Sequence, residues 1–402
     1  MKHRFAEDAV PAEVLGSHEQ CPFIPVFGAP KLFIERAKGT EVWASDGRRY
    51  LDFLAGIAVV SLGHSNPAVT EAISTQARTL VHVSNFFANP VATRAAVRIS
   101  GLMESAGAGR GQVFFCNSGA EANEAAIKIA RKHGGRGRHR IVSAYGSFHG
   151  RTLGALALTG QPAKHEAFQP MPEGFLYVAY GDIEALRAAI DPTVAAVMLE
   201  PIQGEGGVVP ADPAYLQAVE ELCRERGMLL MVDEVQTGFC RTGKWFGFEH
   251  AGISPDVVTF AKGMGNGMPV GAVWARTDVA SVMAPGDHGS TYSGTALATA
   301  AVNAVIDEME RIDACRLANE AGARIRAALA GHPGVDHVRG AGLLLGVALA
   351  DGRDANDVAA AALEAGLIVN AVNQSTVRLA PPLTVSNAEI DEACSILSRV
   401  LA

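Results

Sequence analysis

The chain has 402 residues, 49% of them hydrophobic and 19% charged, with a formal net charge of −8. That is an ordinary globular balance with room for two or three domains. It argues against nucleic-acid binding, because no basic block stands beyond the glycine-broken stretch 131–140.

Six cysteines lie far apart without C-x-x-C spacing, which suggests neither a metal site nor a disulfide framework and points to a reducing cytoplasm. No apolar leader follows Lys2, His3 and Arg4, and no apolar run reaches the ~20 residues of a membrane helix, so no membrane partner is expected. Residues 1–48 read as an N-terminal arm, broken by Pro22, Pro25, Gly28 and Pro30. Residues 42–50 read as strand, Asp-Gly turn, strand.

From about 68 to 295, apolar strand-like runs alternate with helical stretches, the pattern of a mostly parallel α/β sheet flanked by helices. Strands are predicted at 112–116, 140–144, 195–199, 228–232 and 257–260, and helices at 121–133, 213–226 and 295–311. After Arg311 the texture changes. Strands at 343–350 and 367–371 and helices at 354–365 and 387–401 suggest a smaller α+β domain. The expected division is an arm over 1–48 that is part of the small domain, a large domain over 49–295, and a small domain over 296–402.

The chemistry gathers at strand ends. Lys262 follows the apolar run Val257–Phe260 and precedes a glycine-rich loop, and Asp233 ends another apolar run. Two buried parallel strands ending in an amine and a carboxylate place both groups on the rim where open α/β sheets bind ligands. An amine able to form a Schiff base and an acid able to hold a pyridinium nitrogen are the protein half of pyridoxal phosphate chemistry. Burial lowers an amine's pKa and frees its lone pair.

Other segments fit the same ligand. Ser118, Gly119 and Ala120 open a helix after a strand, where backbone N–H groups can cup a phosphate; a plain N-capped turn would look the same. Phe148 with His149 can pack on a ring, and Arg151 can grip a carboxylate. Glu200 and Glu205 sit on one strand-end loop with no His or Cys nearby, so cofactor positioning and pairing with an arginine are favoured over a metal. Val235 can pack on a ring face and Gln236 can bond a ring oxygen. Thr291 can donate to phosphate, and Arg378 is a second carboxylate clamp.

Together these motifs resemble the class III (ornithine and ω-amino acid) aminotransferases of PLP fold type I, from about Val42 to Pro382. The stretches Asp52–Val59 and His82–Asn85, with Arg151, are most similar to the acetylornithine group.

The resemblance implies that Lys262 is the Schiff-base lysine and Asp233 the pyridinium partner, with Phe148 and Val235 sandwiching the ring. It implies that Thr291 reaches the phosphate of a neighbouring subunit, hence a homodimer with shared sites. It makes Arg151 the clamp for the carboxylate distal to the reacting amine and Arg378 the clamp for the α-carboxylate of glutamate, with Glu205 pairing with Arg378 when the other substrate binds. The implied reaction passes an ω-amino group, N-acetylornithine first and 4-aminobutyrate, β-alanine, succinylornithine or an acetyl-lysine type as alternatives, to 2-oxoglutarate. Four places depart from the acetylornithine pattern: the loop after Thr291 reads Tyr-Ser-Gly-Thr-Ala rather than the usual Phe-Gly-Gly-Asn-Pro, the stretch 264–269 is shared more with broad ω-amino acid enzymes, and Phe27 and Ile57 differ. Phe27 lacks the aromatic hydroxyl usual there, and Ile57 stands where ornithine δ-aminotransferases carry tyrosine, which argues against free ornithine.

Overall fold

The computed structural model describes residues 23–402 except 25, 28, 29 and 351. Pro22, Pro25, Gly28 and Cys21 of the expected arm therefore lie outside the described residues. The chain first forms an antiparallel meander of β1 (Ile34–Lys38), β2 (Glu41–Ala44) and β3 (Arg49–Asp52). The expected Asp46-Gly47 turn joins β2 to β3, with Gly47 at φ 83, a left-handed conformation that suits glycine.

The main sheet holds seven strands: β4 (Gly111–Cys116), β5 (Arg140–Ala144), β6 (Phe175–Val178), β7 (Val194–Leu199) and, after the short ribbon β8 (Ile202–Gln203) and β9 (Val209–Pro210), β10 (Leu229–Asp233), β11 (Val257–Phe260) and β12 (Gly271–Arg276). Their order is β4-β12-β11-β10-β7-β5-β6, and all run parallel except β12, which is antiparallel to both neighbours. β6 and β12 add to the five strands expected from sequence.

Helices cover both faces of this sheet: α1 (Pro67–Thr79), α2 (Pro90–Ser105), α3 (Gly119–Gly134), α4 (Leu153–Leu158), α5 (Pro213–Arg226) and α6 (Ala296–Arg311). Burial on both faces explains why β7, β10 and β11 are apolar almost throughout. Alternate residues serve opposite faces. Leu229 and Met231 pack with Ala125, Ala126 and Ile129 of α3, whereas Leu230 and Val232 join Met103 of α2, Val219 of α5 and Val305 of α6. Helix ends follow local rules. Asp212 and Pro213 start α5 and Gly227, left-handed at φ 60, ends it.

Beyond α7 (Ala314–Leu329), an antiparallel sheet of order β13-β14-β17-β16 forms from β13 (Val335–Ala341), β14 (Leu344–Leu349), β16 (Asn370–Asn373) and β17 (Thr376–Leu379). α8 (Ala355–Glu364) and α9 (Asn387–Val400) complete the C-terminal part. The single strand expected over 367–371 is two. β15 (Leu367–Ile368) pairs in parallel with β3, and β16 pairs with β17. Gly366, left-handed at φ 92, turns the chain into this short segment, which serves two sheets.

Candidate active site

Lys262 stands two residues beyond the end of β11, in a left-handed conformation at φ 48. A non-glycine residue held there costs about 1–2 kcal/mol, and such strain clusters at functional sites. Its neighbour must be small, since a Cβ on Gly263 would lie 2.8 Å from Ser61 Oγ. Burial lowers the Lys262 amine to about 8, and the nearby Arg378 charge pushes the same way against Glu205, Asp233 and Glu200. Nζ makes no hydrogen bond or ion pair among the described residues. It is a partly neutral amine free to act.

The register Asp233↔Thr259 between β10 and β11 puts Asp233 on the same rim as Lys262. Asp233 is buried, and its carboxylate is oriented from two sides. Oδ2 accepts from His149 Nδ1 and Asn123 Nδ2, both at 2.8 Å, while Oδ1 accepts from Val235 N at 2.9 Å. Asn123 also donates to His149 O at 2.6 Å. Sequence reasoning missed Asn123. Its signal was one polar residue on the buried face of an alanine-rich helix, where a lone amide needs a partner.

The N-terminus of α3 stands beside Val235. Ser118 caps the helix through Oγ, accepting from Glu121 N at 3.2 Å, so the first-turn N–H groups of Gly119 and Ala120 have no acceptor within the helix. Gly119 abuts Val235, where a Cβ would come 2.8 Å from Val235 Cγ1. Helix N-terminus, Val235 and Asp233 therefore meet in one place.

Glu200 lies buried past the end of β7. Burial first, then the charge of Asp233, raises its pKa well above the usual carboxylate range. Its Oε2 accepts from Phe148 N at 3.1 Å, which holds the Phe148-His149 turn. Exposed Arg151 lies 5.5 Å from the centre of the Phe148 ring.

Arg378 sits in the middle of β17, 1% exposed. Nη1 lies 2.6 Å from Glu205 Oε1 and 3.2 Å from Gln236 Oε1, and Nε donates to Asn370 Oδ1 at 3.2 Å. Nη2 is buried without a partner among the described residues. Burial opposes ionisation of Glu205, yet Arg378, Lys262 and Gln236 hold its carboxyl below the usual value. Asn370, also missed from sequence, becomes a partner only through the β16–β17 register Asn370↔Arg378.

The described chain brings together Lys262, Asp233, His149, Val235, Gln236, Glu205 and Arg378, with Ser118 to Ala120, Phe148 and Glu200 around them. It does not join Phe27, which is 98% exposed. Thr291 is exposed on a loop tied to its own chain through Asn117 Nδ2 and Ser290 Oγ at 3.0 Å. Ile57 is partly exposed at φ 67.

Pyridoxal phosphate fits these residues. A buried carboxylate that receives only an imidazole, an amide and a backbone N–H has room for a charged ring N–H, the free helix N–H groups suit a phosphate, and the free amine suits an aldehyde. Comparisons with known proteins agree. The class III aminotransferase family model matches residues 26–401. An acetylornithine aminotransferase of Caldanaerobacter subterraneus subsp. tengcongensis is 47% identical over 395 residues, 96% of this chain and 98% of the relative. One from Mycobacterium bovis is 47% identical over 377 residues, 93% of each chain.

Among solved structures, an ornithine aminotransferase of Toxoplasma gondii with PLP at its active site superposes with a TM-score of 0.89 at 33% identity, covering 96% and 95% of the two chains. A transaminase from the marine bacterium Virgibacillus superposes with a TM-score of 0.91 at 28% identity, covering 97% and 98%. With a family model matched from residue 26 to 401 and relatives 47% identical over nearly the whole chain, the conclusion is plain: the chain belongs to the class III aminotransferases and is a PLP-dependent transaminase.

Proposed function

We propose that the enzyme moves the ω-amino group of N-acetylornithine to 2-oxoglutarate, giving a semialdehyde and glutamate in ping-pong order. The observation that carries this reading is the closed Arg378–Glu205 pair at 2.6 Å, set beside an exposed Arg151. With Glu205 on Arg378, an anionic group is discouraged at the reacting end of the substrate, and a CH₂-amine terminus that carries no carboxylate is accepted there. Arg151 is left to hold the carboxylate at the far end. When glutamate binds, its α-carboxylate displaces Glu205 and takes the buried Arg378 in a bidentate fork, for which Nη2 is already free.

When bound, pyridoxal phosphate supplies an aldehyde for the substrate amine and an electron-withdrawing ring. Asp233, oriented by His149 and Asn123, would hold the ring nitrogen protonated. Gly119 and Ala120 would hold the phosphate through backbone N–H groups. Lys262 Nζ takes the proton from the substrate carbon that bears the amine, and later returns it, as general base and acid. Gln236, whose oxygen faces Arg378 and which also supports the Glu205 carboxylate, would turn its amide to the ring oxygen once Glu205 leaves. Glu200 keeps the Phe148 turn in place against the ring.

A homodimer with shared sites completes the reading. The exposed aromatics Phe86, Phe87 and Tyr292 cluster near the Thr291 loop, with His82 and Tyr292 ring centres 5.6 Å apart; a partner subunit would cover them and receive Thr291. The five described cysteines are free thiols and no described helix is long and apolar enough to cross a membrane, which fits a cytoplasmic setting.

Single-turnover loss of the cofactor absorbance tests the assignment with N-acetylornithine, ornithine, 4-aminobutyrate, β-alanine and glutamate. Fast reaction with N-acetylornithine and glutamate and slow reaction with ornithine is the expected pattern. Preference for 4-aminobutyrate or β-alanine would overturn the choice of donor.

A further inference from the structure

Two thiols far apart in sequence meet where α7 begins. Asp313, left-handed at φ 52, precedes the helix, and Cys315 lies in its first turn. Against it runs the chain that leaves β10. Beyond Asp233, Val235 and Gln236 this chain turns left-handed at two consecutive residues that carry side chains, Phe239 at φ 55 and Cys240 at φ 63. Such backbone is uncommon outside glycine and clusters where structure over-determines it.

The contact is built from both sides. Gly243 N donates to Cys240 O at 3.0 Å, which closes a tight turn with Cys240 at one end and Gly243 at the other. On α7, Cys315 and Asn319 stand one helical turn apart on the same face. Asn319 Nδ2 donates to Gly243 O at 2.9 Å, and a Cβ on Gly243 would fall 2.0 Å from Asn319 Oδ1. With Asn319 seated on one end of the turn, Cys315 meets the other, and its thiol shares a hydrogen bond with that of Cys240. Cys240 is 1% exposed, whereas Cys315 is the one partly exposed thiol among the five described cysteines. A reversible disulfide needs that division: one thiol that a reagent reaches, and one inside that displaces it.

We propose that Cys240 and Cys315 form a reversible disulfide, a modification site that fastens the loop carrying Val235 and Gln236 to α7. The exchange balances with a small-molecule disulfide as oxidant. The Cys315 thiolate attacks one sulfur of that disulfide, its S–S bond breaks, and one small thiol leaves. Cys240 gives its proton to solvent, attacks Cys315 Sγ, and releases the second small thiol. Two protein thiols are oxidised and one small disulfide is reduced to two thiols. In the reduced enzyme the hydrogen bond with Cys315, then burial, then the Cys315 charge keep the Cys240 thiol protonated. Capping Cys315 removes the first and third of these, so the mixed disulfide readies Cys240 to close the bond. Neither thiol is among the residues assigned above to cofactor or substrate.

The test incubates purified holoenzyme with excess oxidised glutathione and maps the chain by proteolysis without reductant. A peptide pair joined through Cys240 and Cys315, and separated again by dithiothreitol, is expected. The oxidised holoenzyme should also unfold several degrees above the reduced form, since the bond closes a long loop. In Cys240→Ser, which has no second thiol to close the bond, glutathione should stay attached at Cys315. In Cys315→Ser the buried Cys240 should stay reduced.

Glutathione retained on Cys315 of the unaltered protein, no reaction at either thiol, or a cross-link that forms only in denaturant would overturn the site. An unfolding temperature that the cross-link leaves unchanged would overturn the fastening. The linkage is read on the unaltered protein, so it stands whether or not a variant folds.

Discussion

Glu205 Oε1 lies 2.6 Å from Arg378 Nη1, and this contact joins the loop between β8 and β9 to an inner strand of a different sheet. Glu205 is the removable partner, because Arg378 is 1% exposed and also anchored by Gln236 and Asn370. Replacing Glu205 with Ala should leave the glutamate half-reaction at least as fast and slow the ω-amine half-reaction by about tenfold or more, measured as separate single turnovers. Unchanged discrimination between the two substrates would refute the switch.

The Lys262 amine sits near 8 because burial and Arg378 disfavour its charge. Only the neutral amine attacks an aldehyde. Recombination of cofactor-free enzyme with pyridoxal phosphate should therefore slow about tenfold per pH unit below about 8 and level off above it. A midpoint near the ordinary lysine value of 10.5 would contradict the burial argument. Lys262→Ala should abolish turnover while still binding the cofactor; substantial residual turnover would remove the lysine from its role.

Asn123 shares Asp233 Oδ2 with His149 and shows what holds that carboxylate. Asn123→Leu strips one donor from a buried acid, at a cost of about 1–3 kcal/mol. Thermal unfolding should register that loss, and equilibrium titration should show weaker cofactor binding. Normal cofactor affinity with lowered stability would confine Asn123 to the fold.

Arg241 is buried and donates to Leu343 O and Pro381 O and to Ser61 Oγ, so it ties the loop after β10 to the C-terminal sheet and to the segment before α1. Arg241→Met leaves two buried carbonyl groups without this donor and should destabilise by roughly 2–4 kcal/mol. Denaturant unfolding of the holoenzyme measures it; a change under about 0.5 kcal/mol would mean that water replaces the guanidinium.

Thr291 makes a prediction that only shared sites can satisfy. Mixing Lys262→Ala subunits with Thr291→Ala subunits should restore one intact site per mixed dimer, with normal cofactor affinity. Chains whose sites are self-contained would give no such recovery.

The parts legible in the sequence were those where one strand carries both the burial signal and the chemistry. β10 and β11 are continuous apolar runs ending in Asp233 and, two residues on, Lys262, so their pattern announces both the sheet and its rim. α5 was legible from Asp212, Pro213 and the closing Gly227. What escaped depends on partners far along the chain. Asn123 and Asn370 matter only through Asp233 and Arg378. β12 reads as a short run after Pro269, and nothing local says that it reverses. The left-handed turn at Ala55–Ala58 has no signature beyond one glycine, since three ordinary residues are forced into it by Asp52, itself held by His64.

The reversed strand has a further meaning. β11 carries the chain up to Lys262, and β12 brings it down beside β4, with Gly271 opposite Cys116 and so close to Ser118 that a Cβ would lie 2.4 Å from its carbonyl oxygen. The interval from Lys262 to Gly271 is thus a ruler whose two ends are nailed to the sheet, one at the amine and one at the start of α3, the helix proposed to bind phosphate. Slipping β12 by one residue would turn Trp274 to the opposite face of the sheet, so the span between amine and helix is set by ladder register. A ligand of fixed length, aldehyde at one end and phosphate at the other, is measured by the backbone before any side chain touches it.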